Sequence, residues 1–166
     1  MTNPAPDVMY GEQSLFRFLV LNAPTQIRPV SFDDDALELP ELTTTDMPVT
    51  VATVARDTPN MYGTPTSGSN GPTSWAKPKP GQGSWTVSLS GNVQPTAPER
   101  AAMKALQEAR GRYIWVERRP DQETVNEGGC ALVTSTGKPI PADGPVTFSA
   151  GLTGYGKHFT DTSTAV

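Results

Sequence analysis

The sequence predicts a mainly β domain, a sandwich or barrel with one flanking α-helix and long loops. Three observations support this class. The chain has 166 residues, which is the length of one domain with a core of its own. Apolar and polar residues alternate over several short segments, as they do in half-buried strands. Only one segment, near the middle of the chain, combines helical spacing with a helix start signal.

The clearest strand is SWTVSLSG at 84–91, where Trp85, Val87 and Leu89 alternate with serine and threonine. In the segment 14–21 both faces are apolar apart from Arg17, which indicates a central strand or a strand at an interface. β-branched and aromatic composition predicts further strands at 49–56, 112–118, 129–136 and 145–154, and a short one around 37–42.

The predicted helix covers 97–110. Thr96 is suited to the N-cap, Pro98 falls in the first turn, and Glu99 follows three residues after the cap, as in a capping box. Gly111 ends the segment. Its apolar stripe is narrow and made mostly of alanine, so we expect the helix to lie on a sheet at the surface of the domain.

Three irregular segments complete a single domain that spans 1–166. The N-terminal arm, 1–13, contains two prolines and no periodicity, so we expect it to be ordered only by contact with something else. The loop 57–83 is rich in Pro, Gly, Ser, Thr and Asn, and at 27 residues it is long enough to be either functional or disordered. The tail 157–166 is polar, and we expect it to be loose.

Composition excludes several classes of protein. A net charge of −4 argues against a protein that grips nucleic acid phosphates. Cys130 is the only cysteine and His158 the only histidine, so neither an internal disulfide nor a Cys/His metal cage can form. No apolar run reaches the ~18 residues of a membrane span, and the N-terminus lacks a signal-peptide pattern. We expect a chain of cytosolic origin.

The residues that carry chemistry elsewhere give no catalytic pattern. His158 lies in the polar tail without a serine or cysteine nucleophile nearby, and Cys130 opens an apolar strand as a small buried residue would. The glycines at 81–83 and 151–156 do not precede a helix, so they do not form a phosphate loop. We expect no enzyme, no metal and no cofactor.

Charge is unevenly distributed along the chain. Residues 1–60 hold three basic against nine acidic residues, whereas 97–119 hold six basic against three acidic residues. Opposed charges of this kind suit a subunit that assembles head to tail, although solubility alone can also produce them. One acidic cluster allows three interpretations, namely a solvated face, a functional negative surface, or a metal site whose spacing does not fit an EF-hand. Its members are Asp33, Asp34, Asp35, Glu38, Glu41 and Asp46.

Two aromatic residues, Tyr62 and Trp75, lie inside the long loop. Aromatic side chains on such a loop are typical anchors of a protein interface. The alternative is a local mini-core that fastens the loop to its own domain.

Three motifs in this order of elements carry a family resemblance: WTVSLSG at 85–91 before the helix, GGCALVTS at 128–135, and VTFSAGLTGYG at 146–156. With them the chain resembles, over about 14–156, the major tail tube proteins of long-tailed bacteriophages and gene transfer agents. The resemblance implies a β-sandwich with one flanking helix, assembled as hexameric rings that stack into the conduit for the genome.

The resemblance also implies partners and a location. The subunit would bind itself, the tape measure protein, and tail tip and terminator proteins, and double-stranded DNA would pass through the lumen without specific binding. It would belong to the virion tail, be assembled in the bacterial host cytoplasm, and need no cofactor.

Two sets of site residues follow from the resemblance. The arm 1–13 and the loop 57–83 would make ring-to-ring contacts, and the acidic cluster would line a lumen that repels phosphate. The candidate interface residues are Tyr10, Arg17, Asp57, Tyr62, Trp75, Lys77 and Lys79.

Two other classes of function compete with the tube. A β-sandwich that binds carbohydrate would use Trp75, Trp85 and Trp115 as a stacking platform, although the alternation places Trp85 in the core. A small β-barrel enzyme comes third, because the chain has so little His and Cys.

Overall fold

A computed structural model describes residues 15–39, 42–54, 79–93, 97–119, 124–140, 143 and 146–166. The strands are β1 (Leu15–Val20), β2 (Leu37–Glu38), β3 (Leu42–Asp46), β4 (Val49–Val54), β5 (Lys79–Asn92), β6 (Tyr113–Arg119), β7 (Glu127–Gly137) and β8 (Thr147–Gly154). The helices are α1 (Phe32–Asp35) and α2 (Ala97–Glu108), followed by a short 3-10 helix at Thr162–Thr164. None of the described helices is long and apolar enough to cross a membrane.

The strands form one antiparallel sheet in the order β2-β1-β6-β7-β8-β5-β3, and β4 pairs with β5 beyond β3. The sheet curls, so that strands far apart in this order meet. Arg118 on β6 donates a hydrogen bond from Nη1 to the carbonyl oxygen of Thr45 on β3, at 2.9 Å. The predicted mainly β class, with a helix packed on the sheet, is confirmed.

The larger core lies on the face of the sheet that α2 covers. Residues of β1, β5, β6, β7 and β8 alternate into it, with Phe16, Phe18, Trp85 and Phe148 as its largest strand side chains. Burial of such side chains contributes roughly 1.5–3 kcal/mol each. The helix adds Ala102, Met103, Leu106 and Ala109.

A smaller core covers part of the opposite face, and it explains why β1 has two apolar faces. Leu19 and Leu21 pack there against Phe32 of α1 and against Trp115, together with residues of the C-terminal segment. The second face of β1 is therefore buried by the same chain. β1 lies between β2 and β6, so it is a central strand, which is one of the two alternatives that its apolar faces predicted.

The C-terminal segment 157–166 is packed against the sheet, which corrects the prediction of a loose tail. Phe159 exchanges two backbone hydrogen bonds with Gly128, at 2.9 and 2.8 Å. Phe159, Thr162 and Ala165 are buried, and they stand three residues apart. These three side chains anchor the segment together with His158, which packs against Trp85, so the polar composition of the segment concealed its burial.

Two predicted boundaries also change. Strand β5 begins at Lys79, so the last five residues of the predicted loop 57–83 are strand. Pro80 is tolerated there because, among the described strands, only β4 pairs with this part of β5. The range 37–42, where one short strand was expected, instead contains the whole of β2 and the first residue of β3, and α1 precedes it.

Trp85 crosses the core close to the backbone of β8. A Cβ atom on Gly154 would clash with three atoms of the indole, whose Nε1 donates a hydrogen bond to the carbonyl of Gly156 at 3.2 Å. Trp85 is 2% exposed and Trp115 is fully buried. Two of the three tryptophans proposed for a carbohydrate platform are thus core residues, which removes that arrangement.

We expect Gly154→Ala to lower the free energy of unfolding by about 3 kcal/mol, because the indole of Trp85 has no room to move away from the added methyl group. Urea denaturation followed by Trp fluorescence measures the change. Gly83→Ala is the matched control in the same sheet, since its Cβ would lie 3.9 Å from the nearest atom, the Thr50 carbonyl oxygen. Equal losses for both variants would contradict the close packing of Trp85.

Candidate assembly surface

Strands β4 and β5 extend beyond the rest of the sheet as a two-stranded ribbon, made of Val49–Val54 and residues 79–85. Val49 pairs with Trp85 and Val51 with Gly83, whereas β8 pairs with β5 only from Thr86 onward. Within the described residues, both outer edges of this ribbon lack a partner strand. Such edges are the usual sites where another chain adds a strand.

One face of the ribbon is apolar and exposed. Val49 is 52% and Val51 56% exposed, and both lie on the face that continues the α2-side core past Trp85. On the other face the hydroxyls of Thr50 and Ser84 lie 2.9 Å apart. An isolated two-stranded ribbon is marginally stable in water, so an exposed apolar face on one indicates that something covers it.

The predicted interface residues fall mostly outside the described ranges. This applies to Tyr10, Asp57, Tyr62, Trp75 and Lys77, with the arm 1–13 and the segment 55–78, and their roles stay predictions. Lys79 is the first residue of β5 and stands at the end of the ribbon, opposite Val54. The remaining member of the set, Arg17, lies on β1 and contacts other residues of its own chain.

Arg17 belongs to an ionic cluster with Arg28, Asp33 and Glu117, which sequence reasoning did not single out. Arg28 donates to Glu117 at 2.6 Å and to Asp33 at 2.7 Å, and Arg17 lies 3.4 Å from Asp33. The Glu117 side chain is only 1% exposed. The sequence contained one indication of this cluster. Glu117 stands two residues after Trp115 in an apolar strand, so it lies on the same face as that buried residue.

Further donors complete the surroundings of the Glu117 carboxylate. Trp115 donates from Nε1 at 3.1 Å and Asn126 from Nδ2 at 2.8 Å. The guanidinium groups of Arg17 and Arg28 also lie about 5 Å from the ring centroid of Phe32, at 5.2 and 5.0 Å. Because these contacts connect α1 and the segment before it to β1 and β6, the cluster fastens that segment to the sheet.

The ionic cluster sets the charge state of Asp33. Hydrogen bonds from Arg28 lower the pKa of this carboxyl to about 2 and raise the pKa of the Arg28 guanidinium. Asp33 is thus ionised across the ordinary pH range and is compensated by two arginines.

The predicted acidic surface is divided between different elements. Asp33, Asp34 and Asp35 are exposed on α1, Glu38 is on β2 next to β1, and Asp46 ends β3 beside β5. Glu41 lies outside the described residues. Their role as lumen residues stays a prediction.

The two residues weighed for chemistry have structural surroundings. The Nε2 atom of His158 lies 3.2 Å from the sulfur of Met47, between β3 and β4, and the imidazole packs edge-on against Trp85. Burial lowers the pKa of this imidazole. Cys130 is buried, and desolvation raises the pKa of its thiol. In the described part of the chain, no group of three His, Cys, Asp or Glu residues could hold a metal ion.

Solved structures share this fold. The tail of an empty gene transfer agent particle contains a chain with TM-score 0.58 and 14% identity, covering 92% of this chain and 98% of that one. A chain of the SPP1 tail tube has TM-score 0.59 and 15% identity, covering 88% and 75%. A chain of the native gene transfer agent virion has TM-score 0.55 and 13% identity, covering 91% and 97%.

No protein-family model matches the chain. No curated protein matches it either. At these identities the solved structures show the fold alone, and that fold is shared with chains of the SPP1 tail tube and of gene transfer agent particles. The predicted resemblance is confirmed at the level of the fold.

We expect Arg28→Ala to cost about 3 kcal/mol of stability, because it leaves the buried Glu117 carboxylate without its closest cation. Denaturant unfolding measures this cost, and Arg112→Ala, an exposed arginine, is the control. Adding Glu117→Gln to the Arg28 variant should recover part of the loss. A double variant whose loss equals the sum of the two single losses would contradict the pairing.

The Asp33 carboxyl predicts an acid dependence. Its pKa is lower in the folded chain than the ordinary 3.8, so its contribution to stability is full above pH 3.8 and is lost as the pH falls toward about 2. Asp33 is largely exposed, so we expect Asp33→Asn to cost at most about 1 kcal/mol at pH 7. Unfolding curves between pH 2 and 5 test this, since the variant should lose stability less steeply than the parent chain.

Proposed function

We propose that the protein is the major tail tube subunit of a long-tailed bacteriophage or a gene transfer agent. It assembles into hexameric rings, and the rings stack into the tube through which the genome leaves the capsid. The observation that carries this proposal is the agreement in fold with tail tube chains over about nine-tenths of the sequence.

The ribbon supports self-association. A second copy of the chain would cover Val49 and Val51 and pair with the open edges of the ribbon. This pairing would make the marginally stable ribbon part of a larger sheet. The segment 55–78, which contains Tyr62 and Trp75, lies between the two strands of the ribbon in the sequence. The ring-to-ring role of this segment and of the arm 1–13 follows from the same proposal.

Charge supports a directional contact between copies. α2 and the residues after it present Arg100, Lys104, Arg110 and Arg112 at the surface, whereas α1 presents Asp34 and Asp35. Opposed patches on one subunit favour a single register when copies meet head to tail. The tape measure protein, tail tip and terminator proteins, assembly in the host cytoplasm and a purely structural role belong to the same proposal.

Electron microscopy of the purified protein at rising concentration tests the assembly, with light scattering to give the mass. We expect rings and then stacked rings with an open channel. Monomers under every condition, combined with failure to join tails when a tail-initiator complex is added, would overturn the proposal.

We expect the double substitution Val49→Asp and Val51→Asp to raise the protein concentration needed for assembly at least about tenfold. Each of the two substitutions places a charge on the apolar face of the ribbon, which a neighbouring copy would bury. Because both valines are half exposed, the free energy of unfolding of the monomer should change by less than about 1 kcal/mol. Val30→Asp, at a valine that is 98% exposed on another part of the surface, is the control. Unchanged assembly by the double variant would exclude the ribbon from the interface.

A further inference from the structure

The face of the sheet opposite α2 carries an unusual set of side chains over β3, β4, β5, β7 and β8. Residues paired in an antiparallel sheet share one face, and the register places serine and threonine side by side there. Together they form what we call the hydroxyl face: Thr44, Thr50, Ser84, Thr86, Ser88, Ser90, Ser135, Ser149 and Thr153. All are exposed except Ser90, which is half-buried.

The rows of this face run across β3, β5 and β8, and on the β7 side Thr153 lies opposite the half-buried Leu132. Thr44 pairs with Ser90, which pairs with Ser149. In another row Asp46 pairs with Ser88, which lies opposite Gly151. Asp46 is the only charged side chain in the rows that these pairings define. The α1 and C-terminal segments pack near β1, β6 and β7, and the hydroxyl face begins where that cover ends.

The chemistry of the hydroxyl face is a poor match for a protein partner. The buried centre of a protein interface is enriched in aromatic residues, methionine and arginine and depleted in serine. The hydroxyl face has none of the enriched types among its named residues. Hydroxyl groups instead hold water, so this face is best satisfied when it stays solvated in an assembly.

The same chemistry is a poor match for tight binding of nucleic acid. Affinity for duplex DNA comes mostly from lysine and arginine, which neutralise phosphates and release counterions. The hydroxyl face has no cation in its rows, and its single charge repels phosphate. A hydrated, nearly neutral wall with one carboxylate lets a polyanion pass without a strong hold on any position.

We propose that the hydroxyl face lines the bore of the assembled tube and faces the passing DNA duplex across a layer of water. This inference rests on the proposed function. Of the members of the acidic cluster that the structure describes, it places only Asp46 on this wall. Asp33 instead belongs to the ionic cluster. The wall thus carries many hydroxyl groups and no cation in the rows named above. Each subunit adds one carboxylate, so a ring of subunits carries only a few negative charges.

Cysteine labelling of assembled tubes tests which surface faces the bore. Ser88→Cys should react with N-ethylmaleimide, which diffuses in from the tube ends, and fail to react with maleimide attached to a globular carrier protein wider than the bore that electron microscopy measures. Ala101→Cys on α2 is the matched control, because it is exposed, is not one of the charged residues named for the contact between copies, and as an outward site should react with both reagents. Cys130 is buried and keeps the background low. In unassembled subunits both variants should react with both reagents.

The outcomes separate the two proposals. Reaction of Ser88→Cys with the carrier reagent in tubes places the face on the outer wall, and reaction with neither reagent places it in an interface, and each result would overturn this inference. Failure of the parent chain to form tubes under any condition counts against the proposed function itself.

Binding of a short fluorescent DNA duplex to tubes gives a second test. Parent tubes should not co-sediment the duplex, and neither should Ser88→Asn, which keeps the site neutral. Ser88→Lys should retain it at low salt and release it as salt rises, because counterion release drives the binding. Equal co-sedimentation by parent and lysine variant would contradict a non-binding wall.

Discussion

The ion pair between Arg28 and Glu117 holds together two parts of the chain that are 89 residues apart, and much of the structure depends on it. The sheet has a closed core under α2, but its opposite face also needs cover near β1 and β6. That cover consists of the segment leading into α1 and the C-terminal segment, which also bond to each other from Arg28 N–H to the Ala165 carbonyl at 2.7 Å. Because a buried carboxylate without its cation is costly, the pair makes the covered arrangement the favoured one.

This cover divides the second face of the sheet into two regions with different chemistry. Near β1 and β6 the strands carry Leu19, Trp115 and Cys130, which are sealed by the chain itself. Toward β5 and β8 the same face carries Ser88, Ser149 and their neighbours, which remain in water. A single sheet therefore supplies both a packed interior and a hydrated wall.

The parts of the fold that depend on local patterns were predictable from the sequence. Alternation fixed the inward residues of β5, and the capping signals located α2 within two residues of its observed end. The parts that depend on distant partners were not. Nothing local marks Glu117 as the partner of Arg28, and the polar composition of 157–166 hid three anchors that need the sheet before they can be buried. The candidate surface was predictable only where it lies in strands, because the exposure of Val49 and Val51 depends on which other parts of the fold cover that face.

The prolines of the ribbon have a consequence for the way strands can add to it. Pro48 stands at the bend between β3 and β4, and Pro80 lies near the start of β5. Proline has no amide hydrogen, so at these two points the backbone cannot donate to an incoming strand. A strand that adds along the free edge of β5 meets a residue without an amide hydrogen at Pro80, and Pro48 has the same effect just before β4. The two prolines thus limit the registers in which an added strand can make all of its backbone hydrogen bonds.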